Sequence, residues 1–192
     1  APSVLRVHGI LDIPQEVFGP VLHIARFDAK DIDQVIADIN NSGYGLTFGL
    51  HSRIDARIQA VTAAVHCGNI YINRNQIGAV VGSQPFGGEG LSGTGPKAGG
   101  PDYLPRFMHA AKHTPAMIRD LPGPTGESNQ LVAYPRAPIL CLGPSPEQAQ
   151  AQAEKVTAMG GQARLALGLS AQSLTDMTGI SAAIWWGDSS GA

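Results

Sequence analysis

Residues 82–101 read Gly-Ser-Gln-Pro-Phe-Gly-Gly-Glu-Gly-Leu-Ser-Gly-Thr-Gly-Pro-Lys-Ala-Gly-Gly-Pro. A helix does not propagate through such a run, and a central strand does not tolerate its prolines. The segment is therefore loop, and its glycines specify a backbone that bends sharply and passes close to other groups. The string Gly88-x-Gly90-x-x-Gly93 fits the dinucleotide fingerprint letter by letter. That fingerprint binds pyrophosphate only where it follows a strand and opens a helix. Here Gly82-Ser83-Gln84-Pro85 precedes it and a second Gly/Pro cluster follows, so the context argues against a nucleotide fold. A P-loop fails as well, because Gly90-x-x-x-x-Gly95 runs into Pro96-Lys97-Ala98, with no Ser or Thr for a magnesium ion.

Strands and helices alternate ahead of this loop. Val21 to Phe27 reads as a mostly buried strand. Ile32, Val35, Ile36 and Ile39 follow at helical spacing, with Gly43 placed to end the helix. Leu46 to Leu50 is a short strand. Ser52 is positioned to cap a second helix whose apolar face is Ile54, Ile58, Val61 and Val65 and which Gly68 stops. Asn69 to Asn73 alternates as a further strand. This order predicts a largely parallel α/β sheet, with the Gly-rich loop at the carboxyl end of its last strand, where functional loops of open sheets lie.

Three spans are expected: an α/β unit over 1–112, a Pro/Gly-rich linker or surface arm over 113–130, and a partial α/β unit over 131–192. In the last, Pro138 to Leu142 reads as a strand and Ser145-Pro146-Glu147 as a strong helix start. Ala149, Ala153, Val156 and Met159 are the inward positions, and Gly160-Gly161 ends the helix. Strands near Ala163 to Leu167 and Ile180 to Trp186 continue a β-α-β pattern, which leaves faces for another chain or segment to cover.

A net charge of −2 gives no electrostatic case for nucleic acid. The apolar runs are shorter than the roughly 18 residues that span a bilayer. The start, Ala1-Pro2-Ser3-Val4, has neither Met nor a signal-type apolar stretch, so the chain is expected to be a piece of something longer. Cys67 and Cys141 form no CxxC pair, which suits a reducing cytosol. Cys67 adjoins His66, but helix neighbours point in different directions, and Cys141 lies in an apolar strand. Neither is expected to be a nucleophile, and the six His residues are scattered, with only His109 and His113 at i, i+4 spacing, short of a metal-ligand set. A catalytic centre and a metal site are therefore not expected within the chain. Glu16-Val17-Phe18-Gly19-Pro20 can set an acid and an aromatic on one face of a pocket, or can simply be a loop entering a strand.

The chain resembles the aldehyde dehydrogenase superfamily through four ordered blocks: Glu16-Val17-Phe18-Gly19-Pro20, Asn41-Ser42-Gly43-Tyr44-Gly45-Leu46, Gly68-Asn69-Ile70-Tyr71-Ile72-Asn73, and Pro85-Phe86-Gly87-Gly88 with Ser92-Gly93. The longer wording from Asn73 to Gly82 and from Lys97 to Pro101 resembles its L-glutamate γ-semialdehyde dehydrogenase branch. Leu121-Pro122-Gly123-Pro124-Thr125-Gly126-Glu127 resembles the bifunctional proline utilization A family. The resemblance implies the C-terminal portion of a parallel-sheet catalytic domain plus a partial downstream unit. It implies that Glu16 binds the nicotinamide ribose of NAD and that Phe18 packs beside the nicotinamide. Gly78 and Ala79 would hold the substrate α-carboxylate through backbone N–H groups, and Phe86 would pack against the aliphatic chain. The family reaction is cysteine attack, hydride transfer to NAD and Glu-assisted thioester hydrolysis.

In the family the nucleophilic Cys, the general-base Glu and the NAD-binding fold lie upstream of these blocks, as does the FAD domain of proline oxidation. The chain is thus expected to be inactive alone. It is expected to be cytoplasmic in a bacterium, with membrane association only through the parent's proline dehydrogenase part. Homo-oligomerisation or docking to upstream domains is expected, with Arg106 to Thr114 and the linker adding strands to a neighbour. Alternatively the chain is a non-catalytic assembly module that completes a partner's active site.

Overall fold

The computed structural model describes residues 1–108 and 118–188. Its contacts divide the chain into two units, Ala1–Phe107 and Met108–Ala192. In the first, β1 (Ser3–Arg6) lies parallel to β2 (Val21–Ile24), with Ser3 opposite Val21 and Arg6 opposite Ile24. The strand expected through Phe27 stops at Ile24, and Leu22, Ile24, Val4 and Leu5 are exposed rather than buried. The two strands form a sheet of their own, so their faces are not sandwiched as in a larger parallel sheet.

Helix α1 (Ile32–Asn41) follows the expected spacing. Ile36 is buried, Ile32 and Ile39 pack beside it, and Gly43 adopts the left-handed conformation just past the helix end. Strands β3 (Tyr44–Gly45) and β4 (Thr47–Leu50) lead to α2 (Asp55–Ala64), which crosses over to β5 (Asn69–Ile72). β4 and β5 are parallel, with Thr47 opposite Asn69 and Leu50 opposite Ile72. The core lies between this pair and the two helices: Ile36, Val61, Val65 and Cys67, packed by Phe48, Leu50 and Ile70. Each buried aliphatic side chain there contributes about 1.5–3 kcal/mol.

Helix α2 differs from expectation at both ends. The Ser52 hydroxyl accepts from Ile54 N–H at 3.1 Å, forming a turn before the helix rather than a cap, and Ile54 is exposed. At the other end, Asn40 donates to Ala64 O (2.9 Å) and accepts from His66 N–H (2.8 Å). That clasp turns the chain four residues before Gly68, which is therefore not the helix stop. A short β6 (Glu89–Gly90) pairs antiparallel with β3. The pairing across β1–β2 and β4–β5 is parallel as expected, but the strands form separate pairs instead of one sheet.

In the second unit, β7 (Ile118–Leu121) and β8 (Asn129–Val132) form an antiparallel hairpin within much of the span read as linker. Residues 109–114 of the expected strand-adding segment lie outside the described residues. β9 (Ile139–Cys141), α3 (Pro146–Ala158), β10 (Ala163–Leu165), the short α4 (Ala171–Thr175) and β11 (Ala182–Ile184) complete the unit. Its sheet order is β10-β9-β11, all parallel. The α3 start carries a full capping box, Ser145 with Gln148. Ala149 and Val156 are buried as expected, whereas Met159 caps the C-terminus and is exposed. Gln152, on the same face, is wholly buried and bonds Gly143 through both N–H and O at 3.1 Å.

Candidate substrate cleft

The Gly-rich loop is shaped by side chains that lie far from it in sequence. Asn69, the first residue of β5, donates to Pro85 O (2.9 Å) and accepts from Gly87 N–H (3.1 Å). Lys97 Nζ donates to Gly87 O (2.8 Å), to Asn69 Oδ1 (3.1 Å) and to Gly68 O. Burial pushes the Lys97 amine below its ordinary range, against the opposing pull of Glu89. Phe86 and Ala98 exchange backbone hydrogen bonds at 3.0 and 2.8 Å, and Gly82 N–H donates to Gly99 O at 3.0 Å. The chain packs so tightly here that a Cβ on Gly68 would lie 1.9 Å from Gly87 O.

Between β5 and this loop, Asn73 takes a left-handed conformation, and its side chain bonds Ser52 N–H and O at 2.9 Å each. Beyond it the backbone reaches Gly78, whose φ of 76° suits glycine although a Cβ would meet no neighbour. A cleft of about 530 Å³ opens here, lined by Leu46, Thr47, Gln76, Gly78, Ala79, Val81, Gln84, Phe86, Ala98 and Gly99. Three of the five residues singled out from sequence, Gly78, Ala79 and Phe86, thus share one cavity of a size that suits a small molecule. Among the described residues the N–H groups of Gly78 and Ala79 donate to no protein acceptor. Phe86 is 39% exposed, which leaves ring surface available to a ligand. The cleft combines backbone donors for an anion with an apolar wall, and among the described residues its lining holds no charged side chain.

Glu16 and Phe18 are not part of it. Both are exposed, Phe18 at 97%, on the segment entering β2. A carboxylate and a ring two residues apart fit one edge of a nucleoside, but neither lines this cleft or the one at the α2 start. A second, open cleft of about 480 Å³ lies at the α2 start, lined by His51, Ser52, Arg53, Ile54, Arg57 and Asn73, and holds none of the expected residues.

Cys67 is buried in the core, and burial pushes its thiol above the ordinary range; the same holds for Cys141. A thiol so placed resists becoming thiolate and is a poor nucleophile. Among the described residues no His, Cys, Asp and Glu groups gather as a metal site, and no helix is long and apolar enough to cross a membrane.

Sequence reasoning passed over Asn69 and Lys97. The available signal was chemical: a loop with so many bare carbonyls needs donors, and Lys97 is the cation inside it.

The aldehyde dehydrogenase family profile matches residues 10–113. The bifunctional protein PutA of Salmonella typhimurium is 39% identical over 84% of this chain, which spans 16% of that protein. A 1-pyrroline-5-carboxylate dehydrogenase from Bacillus cytotoxicus is 48% identical over 54% of the chain and 20% of its own length. A crystal structure of proline utilization A (PutA) from Bradyrhizobium japonicum superimposes with a TM-score of 0.53 at 56% identity, covering 54% of this chain and 11% of that one.

Proposed function

Because this chain belongs to the aldehyde dehydrogenase family, we propose that it forms the substrate-anchoring wall of an NAD-dependent dehydrogenase that oxidises L-glutamate γ-semialdehyde to glutamate. The observation that carries this reading is the cleft that gathers Gly78, Ala79 and Phe86. The Gly78 and Ala79 N–H groups donate to the substrate α-carboxylate, and hydrogen bonds to an ionised acceptor are roughly twice as strong as neutral ones. Phe86 packs along the methylenes and excludes water from them. Fixing the far end of the substrate in this way aims its aldehyde at chemistry performed elsewhere.

NAD, when bound, accepts the hydride; Glu16 would hold a ribose hydroxyl and Phe18 would cover one face of the ring. With both thiols buried, the nucleophile, the general base and most of the NAD fold come from chain outside these 192 residues. Likeness to the PutA relatives supports the proline-catabolic setting, and we propose that the FAD of that setting binds in another domain. The chain alone, mixed with L-glutamate γ-semialdehyde and NAD, should produce no rise in NADH absorbance; turnover by the isolated chain would overturn this assignment.

A second reading, a non-catalytic module that completes a partner's active site, draws on the β7–β8 hairpin. A two-stranded hairpin is marginal by itself, and Ile118 is 65% exposed on it. Light scattering on the chain, alone and mixed with the upstream portion, tests both readings: a stable monomer that never complements activity counts against each.

A further inference from the structure

Neither Asn69 nor Lys97 lines the cleft, yet between them they hold the backbone on both sides of Phe86. Asn69 grips Pro85 O with its amide nitrogen and Gly87 N–H with its oxygen, at 2.9 and 3.1 Å. Lys97 reaches the same Asn69 oxygen and also Gly87 O, and it closes the set on Gly68 O. Phe86 is therefore flanked by two residues whose main-chain polar groups are fastened to one strand end. The Phe86–Ala98 bridge adds a third fixed point, and Ala98 directly follows Lys97. Asn69 is itself buried at the head of β5, so the clamp is referred to the parallel pair that carries the core.

We propose that Asn69 and Lys97 act as a positioning pair that sets the Phe86 ring, and through the Gly82–Gly99 contact the Gly78–Ala79 segment, at the separation a carboxylate-bearing aldehyde requires. The proposal rests on the reading of the cleft given above. A Lys ammonium suits this task because its three donors can diverge toward three acceptors, here two carbonyls and one amide oxygen. The planar fork of Arg does not match that arrangement, so Lys97→Arg does not restore it. The pair touches no reacting atom and acts only through Phe86 and the Gly78–Ala79 segment.

The test is a double-mutant cycle in the complete dehydrogenase that carries this chain, reading KM for L-glutamate γ-semialdehyde, KM for NAD and kcat. Lys97→Met is expected to raise the aldehyde KM about tenfold, within what a displacement near 1 Å can cost, and to leave KM for NAD unchanged. Global destabilisation instead lowers apparent kcat at constant KM, so that pattern overturns the proposal. Combined with Phe86→Ala, Lys97→Met should raise the aldehyde KM by less than it does alone, because the part that acts through the ring is already removed; fully additive effects overturn the proposal. If Phe86→Ala alone leaves the aldehyde KM untouched, the cleft reading fails first, a result distinct from failure of the clamp. Asn69→Asp keeps the acceptor for Lys97 and Gly87 but loses the donor to Pro85 O. It supplies a milder variant should Lys97→Met not fold, and a smaller rise in the same KM is expected.

Discussion

Gly68 and Gly78 are both glycine for physical reasons, but different ones, and substituting each by alanine separates them. At Gly68 a Cβ would lie 1.9 Å from Gly87 O and 2.7 Å from Gly88 Cα, backbone atoms that cannot swing aside. The loop must move, which strains the Gly68 N–H bond to Gly45 O and the Lys97 bonds. Overpacking costs about 1–3 kcal/mol, and weakening two or three hydrogen bonds adds about 1 kcal/mol each, so Gly68→Ala is expected to lose roughly 3–6 kcal/mol. At Gly78 there is space, and only the left-handed backbone resists a side chain, at about 1–2 kcal/mol. Hydrogen exchange read by mass spectrometry on peptides spanning 66–73 and 84–90 reports the loss locally. Both tryptophans, Trp185 and Trp186, lie in the second unit, so their fluorescence during urea unfolding is an internal control. Equal effects of the two substitutions, or unchanged exchange in Gly68→Ala, would refute the close-approach argument.

Gln152→Leu fills the same space but strands Gly143 N–H, while Gly143 O keeps the bond from Trp186 N–H; at about 1–3 kcal/mol for the buried orphan, the urea midpoint followed by tryptophan fluorescence should fall, and an unchanged midpoint counts against the assignment. Lys97 titrates below its ordinary value when folded, so between that lowered value and 10.5 the unfolded chain holds more protons and stability rises with pH. Below the lowered value the cost of burying the ammonium is fully present. The thermal midpoint of the native chain should therefore gain on that of Lys97→Met as pH rises toward 10.5, with Glu89 and Cys67 as the coupled neighbours; parallel curves contradict this.

Local chemistry made some elements legible. The Ile32, Val35, Ile36, Ile39 spacing located α1 because one face had to be buried, and Ser145-Pro146-Glu147 marked the start of α3 because a cap, a proline and an acid all serve a helix N-terminus. Ser52 misled because its hydroxyl has two local uses, a cap or a turn, and the turn won. The β7–β8 hairpin was hidden because four-residue strands flanked by Pro and Gly carry little periodic signal. At the site, Gly78, Ala79 and Phe86 were found together, since family wording fixes all three. The clamp was not legible, because Lys97 meets Gly68 and Asn69 across nearly thirty residues and spacing encodes no such contact.

The proposed grip of the Gly78 and Ala79 N–H groups on the substrate carboxylate can be tested by removing one of the two donors. Ala79→Pro removes one donor and leaves Phe86 in place. In the complete dehydrogenase that carries this chain, kcat/KM should be compared for L-glutamate γ-semialdehyde and for butanal, which has no carboxylate. A loss of about ten- to a hundredfold is expected for the first, the worth of one charge-assisted hydrogen bond, with little change for the second. An equal loss for both aldehydes would contradict it.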